Sequence, residues 1–226
     1  MIARLVFQTV VWLTVMGALL LGAAGTLAWP AAWSYVIELG VLSLWIGLWL
    51  ARHDPGLLAE RLAPLVQAQQ SRWDRFFMVG VSLAWCGWLI LMAFDAMRFH
   101  WSAPLPVWLL GLGSLCVFLC LFMCRFVFRA NSYAAPVVKV QTSRGHKVID
   151  TGPYAYVRHP MYAAALLLFV GTPLVLGSWW GLACVPLMVI GIGWRAVREE
   201  RLLAAQLDGY TDYMARVRYR FLPFIW

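Results

Sequence analysis

Long apolar runs decide what this chain can become. Residues 5–28, 31–51, 76–97 and 105–128 each form an almost uninterrupted hydrophobic stretch. A helix needs about 20 such residues to cross a bilayer's hydrocarbon. Inside hydrocarbon every backbone N–H and C=O must find its partner within the protein, so the runs predict helices. A fifth apolar block, 160–194, is too long for one ordinary span. It carries breakers at Gly171-Thr172-Pro173 and Gly177-Ser178, and reads as a helical hairpin or helix pair with both ends on one side. The first run follows Arg4 and ends in small residues, as a signal peptide would. It is too long for a signal core and more spans follow, so it is kept as helix one. The composition, 63% hydrophobic and 12% charged, is not that of a soluble globular domain.

The net charge of +8 would suggest a nucleic-acid partner in a soluble protein. Here its distribution matters more. Seventeen of the 18 Lys and Arg lie before the first run, between the second and third, and from 125 onward; Arg98 alone falls on the other side. The positive-inside rule then places the N-terminus, the 52–75 loop, the 129–159 segment and the tail in the cytoplasm. The excess reports topology, and no nucleic acid is expected. All five Cys fall inside apolar blocks, with Cys116, Cys120 and Cys124 recurring every four residues. Without CxxC spacing or His companions they read as small side chains at a helix contact, and no metal is expected. The predicted organisation is a four-helix transmembrane region, 1–128, and a second region, 129–226, made of a cytoplasmic segment, the hairpin 160–194 and a tail.

Polar chemistry concentrates in three cytoplasmic pieces. In the 52–75 loop, Asp54 is placed to cap a short helix begun by Pro55. Its Leu57, Leu58, Leu62 and Leu65 would lie on one face at the membrane surface. The segment 129–159 has extended character in "PVVKVQ" and "HKVID", then a turn at Thr151-Gly152-Pro153. Pro160 suits the first position of the next helix, whose N-terminus carries free N–H groups and a positive dipole. Tyr154, Tyr156 and Tyr162 surround that end. Tyrosine faces hold cations, so the combination suits a ligand with both a carboxylate and a cationic centre. It equally suits an interfacial aromatic belt. In the tail, Arg195 and Glu199 share one helix face, Tyr210 and Tyr213 lie three apart, and Arg216, Arg218 and Arg220 alternate.

Taken in order, "GPYAYVRHPMY", Glu199-Glu200, the paired Tyr of "YTDY", and "RV" followed by "LPFI" resemble the isoprenylcysteine carboxyl methyltransferase family, relatives of membrane phospholipid methyltransferases. The likeness covers about residues 139–225; the "DPGLLAERL…WDR" loop resembles that of bacterial members. It implies a polytopic enzyme that uses S-adenosylmethionine, so the fold expected is an all-α polytopic membrane protein: four transmembrane helices plus a C-terminal helical hairpin under a cytoplasmic cofactor-binding cap. Carried over residue by residue, the resemblance assigns the cofactor pocket to Gln141, His146, Lys147, Val148, Ile149, Tyr154, His159, Pro160, Met161, Tyr162 and Glu199. Arg195 falls where the family holds an arginine that meets the substrate carboxylate. Arg195 and Glu199 are the expected catalytic residues.

The implied reaction moves a methyl group from a sulfonium to a nucleophile on a lipophilic or lipidated substrate. A carboxylate acceptor is already ionised at pH 7, so it needs no base, and none is evident in the sequence. A phospholipid amine or a small thiol must lose a proton, and would need a base near Tyr154 or His159. Two other classes stay open: a transport or binding protein built around Glu38 and Asp95, intramembrane acids that by default mark function, and a reductase using NADPH on a sterol-like lipid. The expected setting is a bacterial inner membrane, with the site on the cytoplasmic side.

Overall fold

The structure, a computed structural model, describes residues 1–67 and 70–226. Helix α1 spans Ile2–Ala24, α2 Pro30–His53, α3 Pro55–Arg61, α4 Arg72–Ala93 and α5 Val107–Ala130. After a long irregular segment come α6 Pro160–Leu176, α7 Trp179–Ala183, α8 Val185–Gln206 and α9 Tyr210–Arg216. Among the described residues, five stretches are long and apolar enough to cross a membrane: Ile2–Ala24, Pro30–His53, Arg72–Arg98, Val107–Ala130 and Trp179–Gln206. The chain is an all-helical integral membrane protein.

The helix ends sit one to four residues from the ends of the apolar runs, because capping chemistry sets them. Gly25, at φ 73°, closes α1 in the left-handed conformation that glycine adopts without strain. Pro30 and Pro160 stand at the starts of α2 and α6. Asp54 caps α3 as its position predicts, accepting from the Leu57 N–H at 2.8 Å. Leu57 and Leu58 are buried against Leu5, Leu50, Val127 and Phe128. Leu62 and Leu65 lie past the end of α3, and Leu65 is exposed. The apolar face is therefore only one turn deep, and it packs onto the bundle.

The fifth block corrects one sequence expectation, the break at Gly171-Thr172-Pro173. Helix α6 runs straight through Gly171-Thr172-Pro173. Gly171 is a packing residue: a Cβ there would sit 2.7 Å from the Gly113 carbonyl and 2.9 Å from Cys116 Cβ on α5. The α5–α6 pair is the most extensive helix contact among the described residues. Thr172 is used in packing too, its hydroxyl 3.0 Å from that of Tyr35 on α2. Pro173 falls in the last turn of α6, and its carbonyl accepts from Ser178 N at 2.9 Å. The break comes at Gly177, φ 76°. The return arm, α7 with α8, runs on past the apolar block to Gln206, so Arg195 and Glu199 share its helix.

The expected extended stretches "PVVKVQ" and "HKVID" form no strand; among the described residues there is none. Their polar groups are met by side chains and turns. Val138 N donates to the Asp74 carboxylate at 2.9 Å, and a 3₁₀ turn at Thr142–Arg144 separates the two stretches. The intramembrane acids are helix-contact groups. Asp95, fully buried, accepts from Ser102 Oγ (2.7 Å), Ser178 Oγ (2.6 Å) and Trp180 N (3.2 Å), tying the α4–α5 turn to the start of α7. Glu38 accepts a hydrogen bond from Ser114 of α5.

Candidate functional site

A pocket opens where α6 begins. Its walls come from the segment after α5, a 3₁₀ turn at Gly152–Ala155, the first turn of α6, the C-terminal half of α8, and α9. Ten of the expected residues line it: His146, Lys147, Val148, Ile149, Tyr154, His159, Met161, Tyr162, Arg195 and Glu199. Tyr210 and Tyr213 join them.

Gln141 and Pro160 do not line the pocket. Gln141 is buried inside the segment it belongs to. Its Nε2 donates to the Tyr133 carbonyl at 2.9 Å, and its Oε1 accepts from Arg144 at 2.6 Å. Pro160, also buried, starts α6 and touches the pocket only through its neighbours. Tyr156 is 72% exposed and does not line the pocket, so of the three tyrosines expected around the α6 N-terminus Tyr154 and Tyr162 do.

The chemistry centres on α8. Residues 195 and 199 stand one turn apart, so both face the pocket. The Tyr162 hydroxyl donates to Glu199 Oε2 at 2.6 Å. Arg195 lies over the rings of Tyr162 (5.8 Å) and Phe77 (5.4 Å). Its guanidinium is tied to Asp74, through Nε to Oδ1 at 3.0 Å, and to the Pro136 carbonyl, through Nη2 at 2.6 Å. Asp74 has no exposed surface and also accepts from Gln70 Nε2 (2.7 Å) and Val138 N (2.9 Å). The side-on edge of Arg195 is thus occupied. Nη1 has no protein acceptor among the described residues.

Sequence reasoning missed Asp74. It lies in the first turn of α4, 121 positions from Arg195. The "WDR" motif marked the loop without marking a partner.

The second acid of the pair has a different task. Glu200 is buried and accepts from Arg158 Nε (2.6 Å) and Arg220 Nε (2.9 Å). His159 Nε2 lies 3.2 Å from the same carboxylate, and a carboxylate only accepts, so that nitrogen carries a proton. The tail adds backbone bonds: Arg158 N and His159 N donate to the carbonyls of Tyr219 (2.9 Å) and Arg220 (2.8 Å). The alternating arginines are therefore divided. Arg220 locks the tail to the α6 start, while Arg216 pairs with Asp150 at the surface.

The remaining wall is held by the 52–67 loop. Arg61 donates to the Ala134 carbonyl at 3.0 Å, and Lys139 pairs with Glu60 at 2.7 Å. Ser132 bonds Asp54. His146 stacks on Tyr133 at 4.4 Å, and its Nδ1 accepts from Gln141 N. Burial, followed by the charge of Arg144, holds the His146 pKa below its ordinary value, with Glu199 pulling weakly the other way. The hydroxyls of Tyr154, Tyr210 and Tyr213 are pushed above the usual tyrosine value by burial. They stay neutral, and Tyr213 donates to the Tyr154 carbonyl at 2.8 Å. The pocket thus offers neutral aromatic faces, one carboxylate and a few cations.

Comparison with known proteins gives this arrangement a lineage. The family model for phospholipid methyltransferases matches residues 108–208. A protein-S-isoprenylcysteine O-methyltransferase of Dictyostelium discoideum is 21% identical over 181 residues, 80% of this chain and 67% of that protein. The solved structure of a eukaryotic intramembrane Ras methyltransferase, an isoprenylcysteine carboxyl methyltransferase, covers 86% of this chain and 77% of its own, with a TM-score of 0.47 and 23% identity. The protein is a membrane methyltransferase.

Proposed function

We propose that the chain is an S-adenosylmethionine-dependent methyltransferase that methylates a carboxylate on an isoprenylcysteine-like or other amphipathic acid. The observation that carries this reading is the hydrogen-bonded Glu199–Tyr162 pair beside Arg195, at the mouth of α6. The donor set fits the cofactor. Tyrosine faces and Glu199 suit a sulfonium and its ammonium, the α6 N-terminus and Lys147 suit its carboxylate, and the apolar Val148 and Ile149 suit its adenine. When bound, the cofactor supplies the methyl group on a positive leaving group.

The rest is positioning by the chain's own residues. Arg195 orients the acceptor carboxylate end-on, with its charge partly balanced by Asp74. The aromatic wall of Tyr154, Tyr210 and Tyr213 excludes water, and alignment supplies the rate. In this reading residues 129–226 form the catalytic region and 1–128 the four-helix membrane region. The hairpin carries α8 back to a cytoplasmic cap, in a bacterial inner membrane. The supporting observation for orientation is the seventeen-to-one distribution of basic residues.

A second reading, methylation of a phospholipid amine, is favoured by one feature. Glu199 and His159 both line the pocket, so a proton acceptor is within the site after all.

Isothermal calorimetry on the detergent-purified chain tests the cofactor, with Glu199→Gln and Tyr162→Ala beside it. Micromolar binding that both variants lose supports the assignment. No heat from a folded protein ends it and turns attention to NADPH and to transport. Methyl-label transfer to an S-prenylated cysteine, to phosphatidylethanolamine and to a long-chain thiol then separates the acceptors.

A further inference from the structure

Away from the pocket, Arg125 lies inside a membrane span with no counter-ion among the described residues. Arg125 is on α5, five residues before its end. Its guanidinium lies over the rings of Trp49 (5.0 Å) and Trp45 (5.5 Å) on α2. Its Nε is buried and has no hydrogen-bond partner, and among the described residues no carboxylate is within ion-pair distance. The nearby acids are committed: Asp54 to Ser132 and Arg144, and Glu60 to Lys139.

The surroundings face lipid. Trp45, Phe118 and Phe126 are 40–42% exposed on helices that cross the membrane. Phe118, Phe122 and Phe126 form a ridge along α5, with Trp45 stacked on Phe122. Arg52 and Arg129, both exposed, rim the same end. Depth fits as well. The 24 residues of α5 make a rod of about 36 Å, against about 30 Å of hydrocarbon. Arg125 therefore stands just inside the boundary, where a long side chain reaches the headgroup layer.

We propose that the α2–α5 face is a binding site for an anionic phospholipid. The headgroup phosphate meets Arg125, and one acyl chain lies along the Phe118–Phe122–Phe126 ridge. The charge argues for an anionic lipid over a zwitterionic one: three cations and no free acid would repel a choline or ethanolamine. The site is separate from the methyl-transfer pocket and does not depend on that assignment.

The test reconstitutes the chain in nanodiscs of equal phosphatidylcholine and phosphatidylglycerol, and counts bound lipids by native mass spectrometry. The wild type should retain phosphatidylglycerol in preference. Arg125→Gln should weaken that preference about fivefold, the worth of one cation near an anionic surface. Arg98→Gln should leave it unchanged. Arg98 is also an arginine over an aromatic ring, Phe99 at 5.9 Å, but it lies at the opposite end of the bundle. Wild-type retention in Arg125→Gln, equal retention of both lipids, or displacement by millimolar inorganic phosphate would each overturn the proposal. Should Arg125→Gln fail to fold, Trp49→Leu decides in its place: reduced preference supports the site, and unchanged preference sinks it.

Discussion

Each acid of the Glu199-Glu200 pair answers to a different neighbour. Glu199 faces the pocket and accepts from Tyr162, whereas Glu200 is buried under Arg158, His159 and Arg220. Hydrogen bonds to charged groups contribute about 1.5–3 kcal/mol, so Glu199→Gln should weaken cofactor binding about tenfold or more with little change in melting temperature. Glu200→Gln should do the reverse, lowering the thermal transition first. Asp74→Asn leaves Arg195 buried without its counter-charge, a loss of about 3–5 kcal/mol for a broken buried pair. If the two groups act as a unit, Asp74→Asn combined with Arg195→Gln should cost much less than the sum of the single losses. Simple additivity in unfolding experiments would refute the coupling.

His146 sets a pH dependence at the same scale. Its folded pKa lies below the ordinary imidazole value, about 6.5. The unfolded chain therefore takes up that proton first as the pH falls. The contribution is absent above about pH 6.5, turns destabilising as the pH falls below it, and reaches its full size once the folded value is passed. His146→Asn should flatten that part of the stability curve, measured as melting temperature between about pH 7 and 5.

At the scale of elements, the α5–α6 contact is the place to press. A Cβ on Gly171 meets backbone of α5 at 2.7 Å, and forced overpacking typically costs about 1–3 kcal/mol. Gly171→Ala should lower the thermal transition. It should also weaken cofactor binding, because α6 begins with the turn that carries His159 and Tyr162. Unimpaired binding would mean that the first turn is held by Glu200 and the tail alone. The same helix marks where sequence is ambiguous. Gly-Thr-Pro inside an apolar run has the composition of a break, and only the neighbouring helix reveals that the glycine admits a close approach. The segment 136–149 misleads in a related way. Its β-branched residues suggest strands, but side chains from α4 and from the segment itself satisfy the backbone. The helices were legible because membrane hydrocarbon leaves the backbone so little choice. The pocket residues were legible because most lie in one short motif near α8. Asp74 and the Arg125 site depend on contacts across 121 and about 80 positions, and local spacing carries no trace of them.

For the molecule as a whole, the prediction concerns sidedness. A single cysteine at exposed Ser143 should react with an impermeant maleimide only in inverted vesicles or broken cells. One at exposed Phe99, beside the lone outer arginine, should react in intact cells. The reverse pattern would invert the topology and put the pocket outside.

The wall of the pocket is clasped from a distance. Asp54, Glu60 and Arg61, from the first third of the chain, hold Ser132, Lys139 and the Ala134 carbonyl, more than seventy positions away. The C-terminal part that carries the recognisable signature is thus not a transplantable cassette. Hybrids between relatives should tolerate a crossover before residue 54, where these partners travel together. A crossover anywhere between 61 and 132 would mate a clasp with the wrong catch, so inherited recombinants among its relatives should avoid that interval.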